Sequence, residues 1–139
     1  MENQVNTVLG DKKVCALIVE DNVAFRLALK NLLSSRFPSI AIEEAGDAKE
    51  AYQKIELFPP DFIFMDIKLP GQSGIELTKE IKNIYPDLII IILTAHDLPE
   101  YKQASRQSGA NYFVAKGSSA TNDILAIVDS ILLDLKPHR

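Results

Sequence analysis

Cysteine is almost missing from this chain. Cys15 is the only one among 139 residues, so no internal disulfide can form. It falls inside an apolar run, where a lone thiol reads as a small core residue. Histidine is nearly as scarce, and His96 and His138 lack ligand spacing, so neither zinc nor a redox metal is expected. Basic charge is not in excess either. Fifteen Lys and Arg stand against 19 Asp and Glu, for a net charge of -4. That balance argues against a dedicated nucleic-acid surface, which shows clustered Lys and Arg. The longest purely aliphatic run, Leu88 to Leu93, is far too short to span a bilayer. Residues 1–13 are polar, without the apolar stretch of a signal peptide. These absences lead us to expect a soluble, cytoplasmic protein with no membrane partner and no direct nucleic-acid binding. What is present, 47% apolar residues, is enough to fill the core of one domain.

The apolar residues alternate between two patterns five times. Val14–Val19 is a continuous apolar run, as in a strand buried on both faces. Residues 22–36 turn helical, with Phe25, Leu29, Leu32 and Leu33 on one face, and Pro38 breaks them off. Ile40–Ala45 reads as an edge strand because it alternates and ends in acids. Asp47 with Glu50 predicts a capping box opening a helix through Leu57, which Pro59-Pro60 stops. Residues 61–65 form a third strand. Gly74 to Ile84 is a third helix with Ile75, Leu77, Ile81 and Ile84 apolar. Residues 88–93, the most hydrophobic, are expected to be the central strand. A helix over 99–108, capped by Asp97 with Glu100 in a capping box, offers only Tyr101 and Ala104 to a core. Gly109 stops it, residues 111–115 make a fifth strand, and Ser118 or Ser119 caps a last helix running to about Leu135. Strands alternating with helices call for a parallel sheet with right-handed crossovers and helices on both faces. The expected organisation is a polar extension over 1–13, one α/β domain over 14–135, and a tail or the start of a linker over 136–139.

Polar residues end four of the strands. Glu20-Asp21 follows the first, Asp66 the third, Thr94 the fourth and Lys116 the fifth. Sites in parallel α/β sheets form at these carboxyl ends. A carboxylate there is costly unless a cation or chemistry needs it. Asp66 precedes the breaker-rich stretch Leu69-Pro70-Gly71-Gln72-Ser73-Gly74, so by itself it also reads as a turn-opening aspartate. With the other three strand ends it reads as a nucleophile able to attack phosphorus and form an acyl phosphate. Three acids at one point repel, and magnesium relieves this, being hard and oxygen-seeking. Asp21 and Asp66 are the expected direct ligands, with Glu20 acting mainly through water and the Lys68 backbone carbonyl a third protein ligand. Asp21 also reads as a cap for the first helix. Thr94 offers a hydroxyl to a phosphoryl oxygen, and Lys116 a mobile ammonium able to pair with Asp66. Lys68 and His96, each two residues past a site residue, sit at the rim where water enters. Phe113 and Lys116 are expected on opposite sheet faces.

The segments Leu17-Ile18-Val19-Glu20-Asp21-Asn22, Phe64 through Gly74, Ile92-Leu93-Thr94-Ala95 and Gly109 through Lys116 together resemble the receiver domain of two-component response regulators. The resemblance covers about residues 14–135. It implies a doubly wound (βα)5 flavodoxin-like fold with a five-stranded parallel sheet of order 2-1-3-4-5. It implies that a sensor histidine kinase phosphorylates Asp66 in a Mg2+-dependent reaction. Glu20 and Asp21 match the metal-binding acids, Thr94 the switch hydroxyl, Lys116 the family's lysine, and Phe113 the aromatic switch position. Phosphorylation would then switch the surface around residues 95–118. Many members have proline after the lysine, where Gly117 stands here. Lys116-Gly117-Ser118-Ser119 looks more like receivers that precede a helix-turn-helix DNA-binding output domain, whose first and last helices contact partners. The resemblance thus implies transcriptional output and a phosphorylation-dependent homodimer, through those helices or the 95–118 face. The protein is expected to be a signalling switch, not an enzyme in the usual sense, that catalyses its own phosphorylation and dephosphorylation.

Two other readings fit parts of the pattern. An aspartyl-nucleophile phosphatase expects a second acid two residues after the nucleophile, and Lys68 occupies that place. A phosphorylation-independent interaction module would not need the full set of Glu20, Asp21, Asp66, Thr94 and Lys116.

Overall fold

The computed structural model describes residues 13–135. The 1–13 extension, apart from Lys13, and the 136–139 tail lie outside the described residues, as does His138. Five strands, β1 (Cys15–Val19), β2 (Ala41–Ala45), β3 (Phe62–Met65), β4 (Ile89–Thr94) and β5 (Tyr112–Ala115), alternate with five helices. The helices are α1 (Val23–Arg36), α2 (Ala48–Leu57), α3 (Gly74–Ile84), α4 (Pro99–Gln107) and α5 (Ala120–Leu135). All strand pairs are parallel, in the order β2-β1-β3-β4-β5. The (βα)5 alternation and the strand order stand as expected.

Side-chain alternation sends each strand's residues to two cores. Ala16, Ile18, Phe62, Phe64, Ile91, Leu93 and Val114 pack with Leu29 and Leu33 of α1 and Ile124, Val128 and Ile131 of α5. Leu17, Val19, Ile63, Met65, Ile90 and Ile92 pack with Ile55 of α2 and Leu77 and Ile81 of α3. Both faces of the inner strands are therefore dry, which is why β1, β3 and β4 read as unbroken apolar runs.

Several expectations are corrected. The central strand is β3; β4, though more hydrophobic, lies between β3 and β5, because burial on both faces depends on having two strand neighbours and helices above and below. Ile84 is 59% exposed, since it lies at the last turn of α3 beyond the reach of the sheet. Asn22, not Asp21, caps α1, its Oδ1 accepting from the Phe25 amide at 2.9 Å. Asp97 does not cap α4: the cap position is Leu98, which makes no side-chain bond, and Pro99 starts the helix one residue too late for Asp97 to reach. The Asp47 cap is present, but Glu50 reaches back to the Gly46 amide at 2.6 Å, one residue short of a closed capping box. Ser119 directly precedes α5, and its carbonyl accepts from the Asp123 amide.

Candidate functional site

Asp66, Glu20 and Lys116 are each placed by a ladder bond at a strand end. The Asp66 amide donates to the Val19 carbonyl at 3.0 Å, the Glu20 amide to Ala45 at 2.9 Å, and the Lys116 amide to Thr94 at 2.8 Å. These bonds carry the parallel register one residue past the strands, so the polar residues emerge side by side. Alternation then sorts them. Lys116 follows Val114 and Asp66 follows Phe64, both on the α1/α5 face. Ile92 pairs with Phe113 and Thr94 with Ala115, and Phe113 packs against the α2/α3 core. Phe113 and Lys116 thus occupy opposite faces, as the sequence predicts.

Glu20, Asp21 and Asp66 form one cluster, each offering a carboxylate oxygen within 4.8 Å of the others. Glu20 and Asp66 are buried at 3% and 7% exposure, while Asp21 is open to solvent. Lys116 is the cation facing the cluster. Its Nζ lies 2.8 Å from Glu20 Oε1 and 3.9 Å from Asp66 Oδ1. The expected Lys116–Asp66 pairing is therefore secondary, and the hydrogen bond goes to Glu20. Glu20 Oε2 is also engaged, accepting the Asn22 amide at 3.1 Å. With both Glu20 oxygens occupied, Asp21 and Asp66 are the freer carboxylates.

Burial pushes the Asp66 carboxyl up from 3.8 to about 6, helped by the neighbouring Glu20 and opposed by Lys116 and a bond from the Ile67 amide. A site that holds a carboxyl half-neutral near pH 6 has too little positive charge for its three acids. The donor set is all oxygen, with no His or Cys in it, and so fits a hard divalent cation better than zinc.

Thr94 is fully buried, and its Oγ1 accepts from the His96 amide at 3.1 Å, closing a turn. Lys68 and His96 are exposed at the rim, as expected. A feature the sequence did not disclose joins them: Lys68 Nζ lies 5.7 Å above the Tyr101 ring, and the His96 ring meets Tyr101 edge-on at 5.9 Å.

Three further residues shape the site. Arg26 donates to the Glu20 carbonyl at 2.7 Å and pairs with Glu44, whose carboxyl is held below its ordinary range first by Lys30 and also by Arg26. The Phe25 ring stacks on Lys116, with Nζ 4.0 Å from its centroid. Gly74 touches the Asp66 backbone, where a Cβ would meet the carbonyl oxygen. Phe25 was legible only as a core position, Arg26 only as a charge on a helix, and Gly74 only as a helix start.

The model for the response regulator receiver domain matches residues 16–129. The transcriptional regulatory protein DegU of Brevibacillus brevis is 29% identical over 123 residues, covering 88% of this chain and 52% of its own length. The chain spans about half the length of the curated relatives it matches. The crystal structure of a LuxR-family two-component response regulator from Aurantimonas superposes with a TM-score of 0.78 at 30% identity, over 87% of this chain and 86% of that one. The response regulator TrrA of Thermotoga maritima, solved in complex with Mg2+-BeF, gives 0.75 at 29% identity, over 85% of this chain and 98% of that one. No described helix is long and apolar enough to cross a membrane.

Proposed function

This chain belongs to the response regulator receiver family, and from that membership we propose that it is an Asp66 phosphoacceptor, charged by a sensor histidine kinase and read out by a transcriptional partner. The observation that supports it is the Glu20, Asp21 and Asp66 cluster with Lys116 at its edge.

Phosphoryl transfer requires an in-line nucleophile and neutralised equatorial oxygens. Asp66 supplies the nucleophile: a carboxylate oxygen bonds to phosphorus as the bond to the donor nitrogen breaks, leaving an acyl phosphate on Asp66. Asp21 and Asp66, with Glu20 through water and the Lys68 carbonyl, would hold Mg2+. Bound there, the ion neutralises charge on the acids and on the phosphoryl oxygens. Lys116 supplies a second positive charge and must turn from Glu20 toward the new oxygens. The Thr94 hydroxyl offers a donor to one of them once its turn with His96 adjusts. Lys68 in the place of a second acid leaves no general acid for a phosphatase cycle, so the acyl phosphate persists on the chain until water slowly hydrolyses it.

In this reading α4 and β5 form the read-out surface. Ser105 is the only residue of α4 that is buried, its hydroxyl has no partner among the described residues, and the helix start lacks a side-chain cap. A helix held so weakly can shift at small cost. A cavity of about 180 Å³ lies between α4 and β5, with Phe113 in its wall. Thr94 and Phe113 share a sheet face, so drawing Thr94 toward a phosphoryl group opens space for that ring. The event is a local charge change biasing a two-state element.

The test is the intact mass after incubation with acetyl phosphate and Mg2+, beside an Asp66→Asn control. We expect one added phosphoryl group, absent with EDTA and absent in the control. A wild-type mass that stays unchanged with Mg2+ bound would sink the reading and leave a constitutive interaction module.

A further inference from the structure

Lys116 must serve two partners in turn, Glu20 at rest and the oxygens of phosphorylated Asp66 after transfer. In the resting structure the ammonium has one close hydrogen bond, to Glu20 at 2.8 Å, and its distance to Asp66 of 3.9 Å is too long for a second. Its side chain is 18% exposed, so water reaches it on few sides. Beside it lies the face of Phe25, with the ring centroid 4.0 Å from Nζ. The Phe25 backbone is fixed by the Asn22 cap of α1, so the ring is presented from a rigid element. Phe25 and Lys116 together line a groove of about 240 Å³ between α1 and α5, walled also by Gly117, Ala120 and Thr121. Without the ring, that groove is the way out for the ammonium to solvent.

We propose that Phe25 is a positioning residue for Lys116, whose ring face holds the ammonium over the site while it turns from Glu20 to the Asp66 phosphoryl group. This rests on the phosphoacceptor reading above. A hydrogen bond to a fixed oxygen would oppose the turn, because its energy falls steeply with angle. Attraction to a ring face depends on distance to the centroid and tolerates a change of direction. The ring therefore keeps the charge near the three acids in both arrangements. An aliphatic side chain of similar size would exclude water but would not attract the charge.

Phe25 also packs against the α1/α5 core, and the experiment must separate the two roles. Site-specific replacement of Phe25 by 4-fluoro-, 3,5-difluoro- and 3,4,5-trifluorophenylalanine keeps the shape while weakening the negative ring face in steps. The first readout is the rate at which acetyl phosphate with Mg2+ adds mass to the protein. The second, in metal-free protein, is the NMR position of the Lys116 ε-methylene and ammonium signals, which the ring face shifts. We expect the rate to fall stepwise along the series, by roughly tenfold at the trifluoro end, with Phe25→Leu as slow as that end and Phe25→Tyr near wild type. In metal-free Phe25→Leu the Lys116 signals should move to ordinary lysine positions. A flat rate along the series, or Phe25→Leu at the wild-type rate, overturns the proposal whatever the signals do. If wild type itself takes no phosphoryl group, the phosphoacceptor reading has failed and this proposal falls with it. The unmodified wild-type mass identifies that case.

Discussion

Gly74 stands so close to Asp66 that a Cβ on it would lie 1.9 Å from the Asp66 carbonyl oxygen and 2.8 Å from the carbonyl carbon. The obstacle is backbone, so no rotamer change relieves it. The Gly74 amide meanwhile donates to the Ile67 carbonyl at 2.8 Å, fastening the start of α3 to the loop that follows β3. The glycine is needed for space and not for backbone conformation, in contrast to Gly71, whose φ is 80° and where a Cβ would meet nothing within 4 Å among the described residues.

Gly74→Ala should therefore destabilise the fold by about 2–3 kcal/mol, as forced overpacking does. It should also weaken Mg2+ binding, because relief requires moving the Asp66 backbone. Gly71→Ala should cost about 1 kcal/mol through its left-handed φ and leave metal affinity unchanged. Urea unfolding and a Mg2+ titration of both variants check this. Equal metal affinities in the two would break the link between Gly74 and the site.

The titration of Asp66 sets a pH dependence with a definite sign. Burial, then Glu20, raise its carboxyl from 3.8 to about 6 in the metal-free protein. The fold therefore favours the protonated acid. That stability is present below the ordinary carboxylate range and is lost as pH rises through about 6. Asp66→Asn should make the metal-free protein more stable at pH 7.5, on the order of 1–3 kcal/mol, with the advantage vanishing below pH 4. Mg2+ should reverse the ranking at pH 7.5, since it binds the ionised site of wild type, and its apparent affinity should fall as pH drops through about 6. Thermal melts across pH, with Mg2+ and with EDTA, measure both effects.

The parts of the fold carried by periodicity were legible from the residues. Five apolar runs with helical segments between them are enough for a parallel sheet with two cores, because dry strands cannot be amphipathic. Hydropathy could not say which strand is central. Strand order is a matter of crossover connections, and the order 2-1-3-4-5 came from the family resemblance alone. The four polar strand ends were likewise visible, since each interrupts an apolar run. Their partners were not. Lys116 prefers Glu20 over Asp66 because Arg26 and Asn22 fix the Glu20 backbone and its second oxygen, and those bonds depend on where α1 begins. The contacts of Phe25 with Lys116 and of Tyr101 with Lys68 join segments far apart in the chain, so no local pattern announces them.

Thr94 allows phosphorylation and its consequence to be separated. Among the described residues its hydroxyl accepts only the His96 amide, and it lies on the opposite sheet face from Lys116. Thr94→Ala should cost about 1 kcal/mol of stability through that lost bond. Asp66 should still gain mass with acetyl phosphate, because nucleophile, acids and lysine are intact. The amide shifts of residues 95–118 should then change far less on phosphorylation than in wild type. A full wild-type shift pattern in Thr94→Ala would show that the surface responds by a route other than this hydroxyl.

Under the proposed phosphoacceptor function, Tyr101 is expected to tie the lifetime of the phosphoryl group to the position of α4. Lys68 and His96 come from different loops, one after β3 and one after β4, and both meet the same ring, at 5.7 Å and 5.9 Å. With the ring in place the two side chains are gathered at the rim through which an attacking water must pass. Tyr101 is borne on α4, which buries only Ser105, so a shift of α4 should loosen that rim. Tyr101→Ala should shorten the phosphoryl lifetime by about two- to fivefold, the rate equivalent of an exposed cation–π contact, while Tyr101→Phe keeps the wild-type value. Decay of the phosphorylated mass after donor removal gives the lifetimes directly. Lys68→Ala and Tyr101→Ala combined should do little more than either alone, because both remove the same contact. Strictly multiplicative effects would mean that the ring and the lysine act on water independently, and α4 would then have no mechanical hold on hydrolysis.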